Sequence, residues 1–515
     1  MLTMTSVLDR ARRLYGHRTA IIDNDREYSW AEFYDRVSRA AAAIAKLGIG
    51  QGDHFAIISH NSFRQAELIY AGYFLGAVAV PINYRLAVPE VTFILEDSGS
   101  KLLIVEDSLS GILHDNAIKP WADNAIYLSA NSAEVPWLQY EALLSDAEPV
   151  APCQAEEGDD AILFYTGGTT GRSKGVRLTH RNLAGNAVQI ANCMNPECDD
   201  RYLHIAPMFH TADMVANAFT LKGAAHYYIA KPTARGILEA IDKYQITVTM
   251  IPPTLIIMIL EEEGFSEFDI SSLKQFVFGS APMTPKWIKR ALEGFAKTDI
   301  WHGYGLTETS PMVTLSCLRR EGEEDESGYV ERWKSAGQPV VGTEVRILDD
   351  NDNEMPIGQV AEVVCKGLQI AKGYLNLPKE TDEVFSNGWF RTGDVGKVDE
   401  EGYLYLLDRK KDMVITGGEN VYTGEVEAVL CAHHSVLEAA VFGIPDDLFG
   451  EALVAAIVRR AGDALTEADV IQHCRGMIGG YKIPRIVFFI DELPKNAVGK
   501  VLKRDLRGHY LGSVA

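Results

Sequence analysis

The run from Tyr165 to Val176 combines the residue types that hold phosphate. Its glycines let the backbone approach an oxyanion closely. Its hydroxyls and amide N–H groups can donate hydrogen bonds to phosphate oxygens, and Lys174 supplies a positive charge. An apolar segment, residues 161–164, precedes the run and is typical of a buried strand. The candidate nucleotide-binding residues here are Thr166, Gly167, Gly168, Thr169, Thr170 and Lys174.

The run is not a Walker A loop. That pattern needs Gly, four residues and then Gly-Lys-Ser/Thr, whereas here Ser173 precedes Lys174 and Gly175 follows it. A cluster of Gly, Thr and Ser between two strands can also be a simple flexible turn. The density of glycines and the lysine favour phosphate binding.

Further clusters follow the loop along the chain. They occupy residues 302–308 (HGYGLTE), 389–394 (WFRTGD), 408–412 (DRKKD), 416–427 (TGGENVYTGEVE) and 494–500 (PKNAVGK). Together, in this order, they resemble the AMP-forming acyl-adenylating superfamily, which includes acyl- and aryl-CoA synthetases, nonribosomal adenylation domains and firefly luciferase. The resemblance extends from about residue 10 to residue 507. It implies ATP, Mg²⁺ and coenzyme A as cofactor and co-substrates.

The cluster at 302–308 supplies a hydroxyl and a carboxylate. A carboxylate oxygen suits Mg²⁺, which bridges ATP phosphates. The resemblance implies that Thr307 contacts phosphate, Glu308 binds Mg²⁺ and Tyr304 stacks on adenine, with Gly303 and Gly305 beside the nucleotide. A solvated loop acid is the alternative interpretation of Glu308.

Two later residues are suited to a sugar. A carboxylate such as Asp394 can accept two hydrogen bonds at once, and Arg409 can donate to the same sugar. The resemblance implies that both hold the ribose, although an Asp capping a turn beside a surface Arg is the alternative. The segment Gly279, Ser280, Ala281 resembles the one that lies against adenine and the acyl group, and a plain strand-end turn is its alternative.

The segment 207–210 (PMFH) resembles the one that gates the acid pocket, although a lone His beside apolar residues is often a packed core residue. We expect the pocket walls to include Phe209, His210, Thr211, Ala212, Trp301 and Gly303. Small residues leave space there and no basic residue is evident for a second carboxylate. This favours a medium- or long-chain fatty acid or a bulky aryl acid.

The remaining motifs lie near the C-terminus. An ammonium such as that of Lys500 is a mobile point charge that can follow oxyanions through a reaction. The resemblance implies that Lys500 contacts the substrate carboxylate and the α-phosphate, and that Lys411 is the hinge about which the C-terminal domain turns. It also implies that Gly417 and Gly418 line the tunnel for pantetheine.

Three positions depart from the family pattern. Gly167 stands where Ser is common, Ser173 where Pro is usual, and Thr423 where Pro commonly begins a helix. None of these substitutions removes a group to which chemistry is assigned.

Length and composition set limits on the protein class. The chain has 515 residues, which predicts two or three domains, and its formal net charge of −22 argues against nucleic acid as a partner. Seven cysteines without a CxxC pair favour a reducing, cytoplasmic location. We expect no signal peptide and no integral membrane segment, and residues 68–80 are interpreted as a buried helix.

The order of elements predicts an α/β fold. Strands are expected at 20–22, 54–58, 101–105, 246–251 and 275–279, with a helix over 31–47 capped by Ser29. Close-spaced strands at 359–365 and 403–407 predict a small antiparallel or barrel-like subdomain. We place a large N-terminal domain at 1–407, a hinge at 408–412 and a small mobile α+β domain at 413–515, with the order βαββα.

The sequence therefore predicts an ATP-dependent carboxylic acid–CoA ligase that works through an acyl-adenylate. One alternative is an adenylating enzyme that passes the acyl group to a carrier protein, and another is a non-catalytic nucleotide-binding protein. Loss of Lys500, Glu308 or Asp394 would favour the non-catalytic alternative, but all three are present. A monomer or homodimer is expected.

Overall fold

The computed structural model describes residues 2–24, 26–129, 136–166, 173–280, 283, 285–320, 331–416, 419–446, 449–460, 462–475, 477–495 and 500–514. These residues form four β-sheets with helices between and around them. Across these ranges, no helix has the length and apolar character needed to cross a bilayer. The predicted α/β fold class is confirmed.

The first large sheet contains the predicted strands at 54–58 and 101–105. From edge to edge its strands are β19 (Gly373–Tyr374), β9 (Lys174–Thr179), β8 (Asp160–Thr166), β4 (Val78–Ile82), β3 (His54–Ile58), β5 (Leu102–Glu106), β6 (Ile126–Leu128) and β7 (Leu138–Gln139). The strands from β8 to β7 are parallel, whereas β9 and β19 are antiparallel to their neighbours.

The second large sheet contains the other predicted parallel strands. In order, its strands are β16 (Gln338–Pro339), β15 (Thr314–Cys317), β14 (Asp299–Tyr304), β13 (Gln275–Phe278), β12 (Val248–Met250), β10 (Arg201–His204), β11 (Ala225–Tyr228), β1 (Thr19–Asp23) and β2 (Arg26–Ser29). The strands from β14 to β1 are parallel. Strands β2, β15 and β16 pair in the antiparallel sense.

Helices cover both faces of these sheets. Those packed between the sheets are α1 (Met4–Tyr15), α2 (Trp30–Lys46), α3 (Phe63–Leu75), α6 (Tyr140–Ser145), α7 (His180–Met194) and α8 (Ala216–Thr220). The outer helices are α4 (Val88–Ser98), α5 (Lys119–Ala122), α9 (Ala234–Tyr244), α10 (Pro253–Leu260) and α11 (Pro285–Gly294). Alternate residues of β3 enter opposite cores, with Phe55 on the inner face and Ala56 on the outer.

Two predicted helices have different outcomes. Helix α2 is confirmed, and Ser29 caps it by accepting a hydrogen bond from the backbone of Glu32 while the Glu32 side chain reaches back. The single helix predicted at 68–80 is wrong. Helix α3 ends at Leu75 because Gly76 adopts φ 68° and donates its N–H to Gly72, and β4 then begins at Val78.

The predicted barrel-like subdomain is an antiparallel sheet of β17 (Thr343–Leu348), β18 (Ala361–Gly367), β20 (Phe385–Ser386), β21 (Trp389–Val398) and β22 (Leu404–Arg409). Helix α12 (Pro378–Val384) lies between it and β19.

The C-terminal part has more elements than the predicted βαββα. It contains β23 (Val414–Thr416), β24 (Glu419–Val421), α13 (Thr423–Ala432), β25 (Val436–Asp446), β26 (Gly450–Arg459), α14 (Glu467–Arg475), β27 (Ile486–Phe489) and α15 (Lys503–Val514). The additional strands are short, so they leave little periodic signal. The chain changes sheet between Arg409 and Val414, and Asp408 and Arg409 belong to β22 although the charged run suggested a linker.

Candidate active site

One group of the predicted site residues lies where strands of the two large sheets end. Thr166 is the last residue of β8, and Lys174 is the first of β9. In the other sheet β14 ends at Tyr304, and Ser280 follows β13 with a left-handed φ of 68°. Ligand sites in α/β proteins form at the carboxyl ends of such strands. A left-handed serine is strained, and this strain is stored beside the site.

Close backbone approaches explain two of the predicted glycines. A Cβ on Gly279 would stand 2.3 Å from the carbonyl oxygen of Gly303, and a Cβ on Gly305 would stand 1.7 Å from that of Pro311. A side chain at Gly279 would force the ends of β13 and β14 apart, and one at Gly305 would open the loop that follows β14. These glycines therefore set the shape of the turn that carries Thr307 and Glu308.

Asp394, Arg409 and Tyr304 form one hydrogen-bonded group. Asp394 and Arg409 are directly opposite each other on β21 and β22, and the Arg409 Nε lies 2.6 Å from the Asp394 Oδ1. The Tyr304 hydroxyl donates to the Asp394 Oδ2 at 2.5 Å. Burial, followed by the Asp394 charge, raises the pKa of Tyr304 well above its usual value, so the phenol stays protonated.

The turn after β14 presents Thr307 and Glu308, both buried. The Thr307 hydroxyl lies 3.4 Å from that of Thr211, which joins this turn to the 3₁₀ helix Thr211–Val215. The Glu308 Oε1 accepts a hydrogen bond from the Tyr374 hydroxyl at 2.8 Å. The Lys174 ammonium lies 4.9 Å from the centre of the Tyr374 ring.

Lys500 of the C-terminal part reaches the same site. Its ammonium lies within range of the charges of Arg409, Asp394 and Lys411. Desolvation around the ammonium, followed by the Arg409 charge, lowers its pKa to about 8, although the residue as a whole keeps access to solvent. Desolvation around the ammonium likewise lowers the pKa of Lys411. Charged residues from both sides of the predicted hinge therefore influence each other around Asp394 and Arg409.

The predicted walls of the acid pocket divide into two groups. Ala212 and Trp301 share an apolar core with Met312, and Met312 packs where a Cβ of Gly303 would be, with its sulfur 2.7 Å from that position. Phe209 instead packs edge-on against Tyr84.

His210 caps the 3₁₀ helix through its Nδ1, which accepts a hydrogen bond from the Ala212 N–H at 3.2 Å. Burial lowers the pKa of His210 to about 4, so the imidazole is neutral at pH 7. A neutral imidazole fits either interpretation of His210: a gate of the acid pocket or a packed core residue.

Several predicted residues lie outside the described ranges: Gly167, Gly168, Thr169 and Thr170 of the glycine-rich loop, Ala281, and Gly417 and Gly418. Their roles remain predictions from the sequence.

Sequence reasoning missed Tyr374. This residue lies in the two-residue strand β19, too short for a periodic signal, and is 66 positions from Glu308 in the chain. The dipeptide Gly373-Tyr374 is the only sequence signal, and it becomes informative once β19 is known to pair with β9.

The assembled groups suit a nucleotide with bound metal. Carboxylate and phenol groups surround the predicted ribose position, and Lys174, Arg409 and Lys500 supply positive charge for phosphate oxygens. The arrangement offers no nucleophile among these residues. What these groups can supply is positioning and charge stabilisation, which are the usual requirements of phosphoryl transfer.

Comparison with known proteins agrees with this geometry. Residues 8–375 match the family described as AMP-binding enzyme, and residues 425–500 match the AMP-binding enzyme C-terminal domain. The chain is 35% identical over 501 residues to the long-chain-fatty-acid–CoA ligase FadD13 of Mycobacterium tuberculosis, covering 95% of this chain and 94% of that protein. It is 34% identical over 504 residues to a feruloyl-CoA synthase from an Amycolatopsis species, covering 97% and 98%. The crystal structure of ATP-bound MatB from Rhodopseudomonas palustris superposes with a TM-score of 0.88 at 30% identity, covering 98% and 99%.

Proposed function

Since the chain belongs to the AMP-binding enzyme family, we propose that it is an AMP-forming ligase that joins a carboxylic acid to coenzyme A. The observation that carries the proposal is the hydrogen-bonded group of Asp394, Arg409 and Tyr304, which adjoins the turn of Thr307 and Glu308. The charge of Lys500 acts on the same pair. The relatives named as CoA ligases cover almost the whole chain, which supports the same activity.

In the first half-reaction, an oxygen of the acid attacks the α-phosphorus of ATP. The bond from that phosphorus to the bridging oxygen of the β-phosphate breaks, and pyrophosphate leaves with the bonding electrons. Lys500 places its ammonium beside the acid and the α-phosphate, where it offsets the negative charge that builds up. A pKa near 8 leaves most of this ammonium charged at pH 7.

The nucleotide is held by groups with fixed positions. Asp394 accepts hydrogen bonds from the ribose hydroxyls, and its partner Arg409 holds the carboxylate in a fixed orientation. The hydrogen bond from Tyr304 fixes that carboxylate from the other side and sets the edge of the base site. Because these contacts exist before ATP arrives, little binding energy is lost in ordering them.

The residues present fit a magnesium ion bound together with ATP. Among the described residues, no cluster of three or more His, Cys, Asp or Glu side chains could hold a metal alone. Mg²⁺ is usually held by one or two carboxylates together with substrate phosphates, and Glu308 beside Thr307 provides such a set. When bound, Mg²⁺ would neutralise phosphate charge, while Glu308 and Lys174 orient the triphosphate.

In the second half-reaction, the thiolate of coenzyme A attacks the acyl carbon and AMP leaves. We propose that the C-terminal part turns about Lys411 between the steps, which withdraws Lys500 and brings Gly417 and Gly418 to the thiol channel. The change of sheet after Arg409 supports a hinge at this place.

The acid is proposed to be a medium- or long-chain fatty acid or an aryl acid. The core beside the turn is apolar, including Ala212, Trp301 and Met312, and such walls favour an apolar body over a second carboxylate. The relatives named for long-chain fatty acids and for feruloyl-CoA agree with both acid classes.

The test is AMP release across fatty, cinnamic, benzoic and short-chain acids, each with and without coenzyme A. We expect AMP and an acyl thioester to appear together, with coenzyme A required for turnover. Adenylate that accumulates whether or not coenzyme A is present would indicate a different acceptor, such as a carrier protein. Absence of AMP for every acid would contradict the proposed ligase.

A further inference from the structure

Tyr374 contacts two groups of the proposed ATP site at once. Its hydroxyl donates to the Glu308 Oε1 at 2.8 Å, and the face of its ring receives the Lys174 ammonium at 4.9 Å from the ring centre. Glu308 belongs to the turn between β14 and β15 of the second large sheet, whereas Lys174 begins β9 of the first. Tyr374 is therefore a side-chain link between the two halves of the site.

The backbone around Tyr374 fixes this position. Strand β19 pairs with β9, with Tyr374 opposite Val176, and Leu375 donates to the Gly175 carbonyl at 2.8 Å. On the other side, the Ala371 N–H donates to the Glu308 carbonyl at 2.8 Å. The Thr381 hydroxyl accepts from the Tyr374 N–H at 3.0 Å. The backbone that carries the ring is thus held by β9, by the turn of Glu308 and by Thr381.

The chemistry of the two contacts is different. A phenol that donates to one carboxylate oxygen fixes the rotation of that carboxylate and leaves the other oxygen to face a ligand. A cation over an aromatic face is attracted to it and loses freedom of motion. Burial of Tyr374 strengthens both effects, since little water competes at the site.

We propose that Tyr374 is a positioning residue that orients Glu308 toward the metal of the ATP complex through its hydroxyl and holds Lys174 toward the triphosphate through its ring. This inference rests on the proposed function. The inference has two parts, the role of the hydroxyl and the role of the ring, and two substitutions of Tyr374 test them separately. Tyr374→Phe removes the hydroxyl and keeps the ring, whereas Tyr374→Leu removes both.

The measurement is equilibrium binding of ATP by titration calorimetry, once with Mg²⁺ and once with EDTA, on the full chain. In the wild type, Mg²⁺ should tighten ATP binding. Tyr374→Phe should lose about tenfold of that tightening while its affinity for metal-free ATP stays unchanged, since only the contact to the metal-binding carboxylate is lost. Tyr374→Leu should in addition weaken metal-free ATP binding by about threefold or more, as expected for a lost cation–π contact.

Tyr140→Phe is the matched control. Tyr140 is also buried and donates to a buried carboxylate, the Glu67 Oε2 at 3.1 Å, but neither residue belongs to the proposed ATP site. It should bind ATP like the wild type under both conditions. A Mg²⁺ effect in Tyr374→Phe equal to that in Tyr140→Phe would overturn the inference while the ligase proposal stands. A wild-type protein that binds no ATP with Mg²⁺ would overturn both.

Discussion

Thr423 joins the two sides of the proposed hinge. Its hydroxyl donates to the Asp408 Oδ2 at 2.8 Å, and its backbone N–H donates to the same oxygen. The Lys503 ammonium donates to the Thr423 hydroxyl at 2.5 Å and pairs with Glu427 at 2.8 Å. Asp408 precedes the change of sheet, whereas the other three residues follow it. The two hydrogen bonds to Asp408 must break if the C-terminal part turns away from β22, whereas the contacts of Lys503 lie within that part and stay intact.

The variant Thr423→Val keeps the shape of the side chain and removes its hydroxyl. Of the two hydrogen bonds that the hydroxyl makes to charged groups, only the bond to Asp408 crosses the hinge, and such a bond contributes about 1.5 kcal/mol or more. Water recovers part of this at Asp408, which is half-buried, so we expect a net loss of about 1 kcal/mol. Since about 1.4 kcal/mol corresponds to tenfold, the arrangement that holds Lys500 in the site would lose about fivefold in population relative to a turned one.

The assay compares the two half-reactions. ATP–pyrophosphate exchange should fall by up to about fivefold in Thr423→Val, whereas thioester formation from supplied acyl-adenylate and coenzyme A should be unchanged or faster. Thr466→Val is the matched control, because the Thr466 hydroxyl donates to Asp469 within the C-terminal part and does not cross the hinge. Equal losses in both half-reactions, or the same pattern in Thr466→Val, would refute the role of Thr423.

Three further predictions concern the charged groups of the site. Lys500→Ala should reduce ATP–pyrophosphate exchange strongly and largely spare thioester formation from supplied adenylate, and equal loss in both would contradict the role of Lys500. Because the pKa of Lys500 in the free enzyme is about 8, kcat/KM for ATP should hold below that pH and fall above it. Lys500→Arg should lack this alkaline fall, since Arg stays charged, and an unchanged pH profile would exclude Lys500 as its source. Asp394→Asn should raise the KM for ATP and lower the free energy of unfolding by about 2 kcal/mol, because Arg409 loses its buried partner. Denaturant titration checks the second effect, and a wild-type KM would refute the ribose contact.

The elements that could be predicted carry local signals. Helix α2 has an apolar face, a serine cap and the matching Glu32, so sequence and structure agree from its first turn. The 68–80 segment shows the limit of such signals. A helix and a strand that are both buried have similar apolar composition, and the left-handed Gly76 that separates them resembles any other helical glycine until tertiary packing selects its conformation.

In the candidate site, too, the residues that could be predicted are those with a local sequence signal. Asp394 and Arg409 were predicted to act together, and the structure places them opposite each other across β21 and β22. Because β21 and β22 are consecutive strands of one hairpin, the two residues lie in neighbouring motifs of the sequence and could be predicted to act together. Tyr374 and Thr423 act through partners brought near by strand pairing or by the packing of the C-terminal part. Neither type of contact has a fixed spacing along the chain.

The charge of the protein illustrates the difference between a global and a local property. A formal net charge of −22 would oppose the binding of ATP if the charges acted as one field. At physiological salt, however, exposed charges separated by more than about 8 Å are largely screened from each other. Lys174, Arg409 and Lys500 come from three distant segments of the chain and converge on the predicted phosphate and ribose positions. The net charge therefore argues against an extended polyanion such as nucleic acid, which would meet the whole surface, and leaves a small polyanion free to bind where the fold concentrates cations.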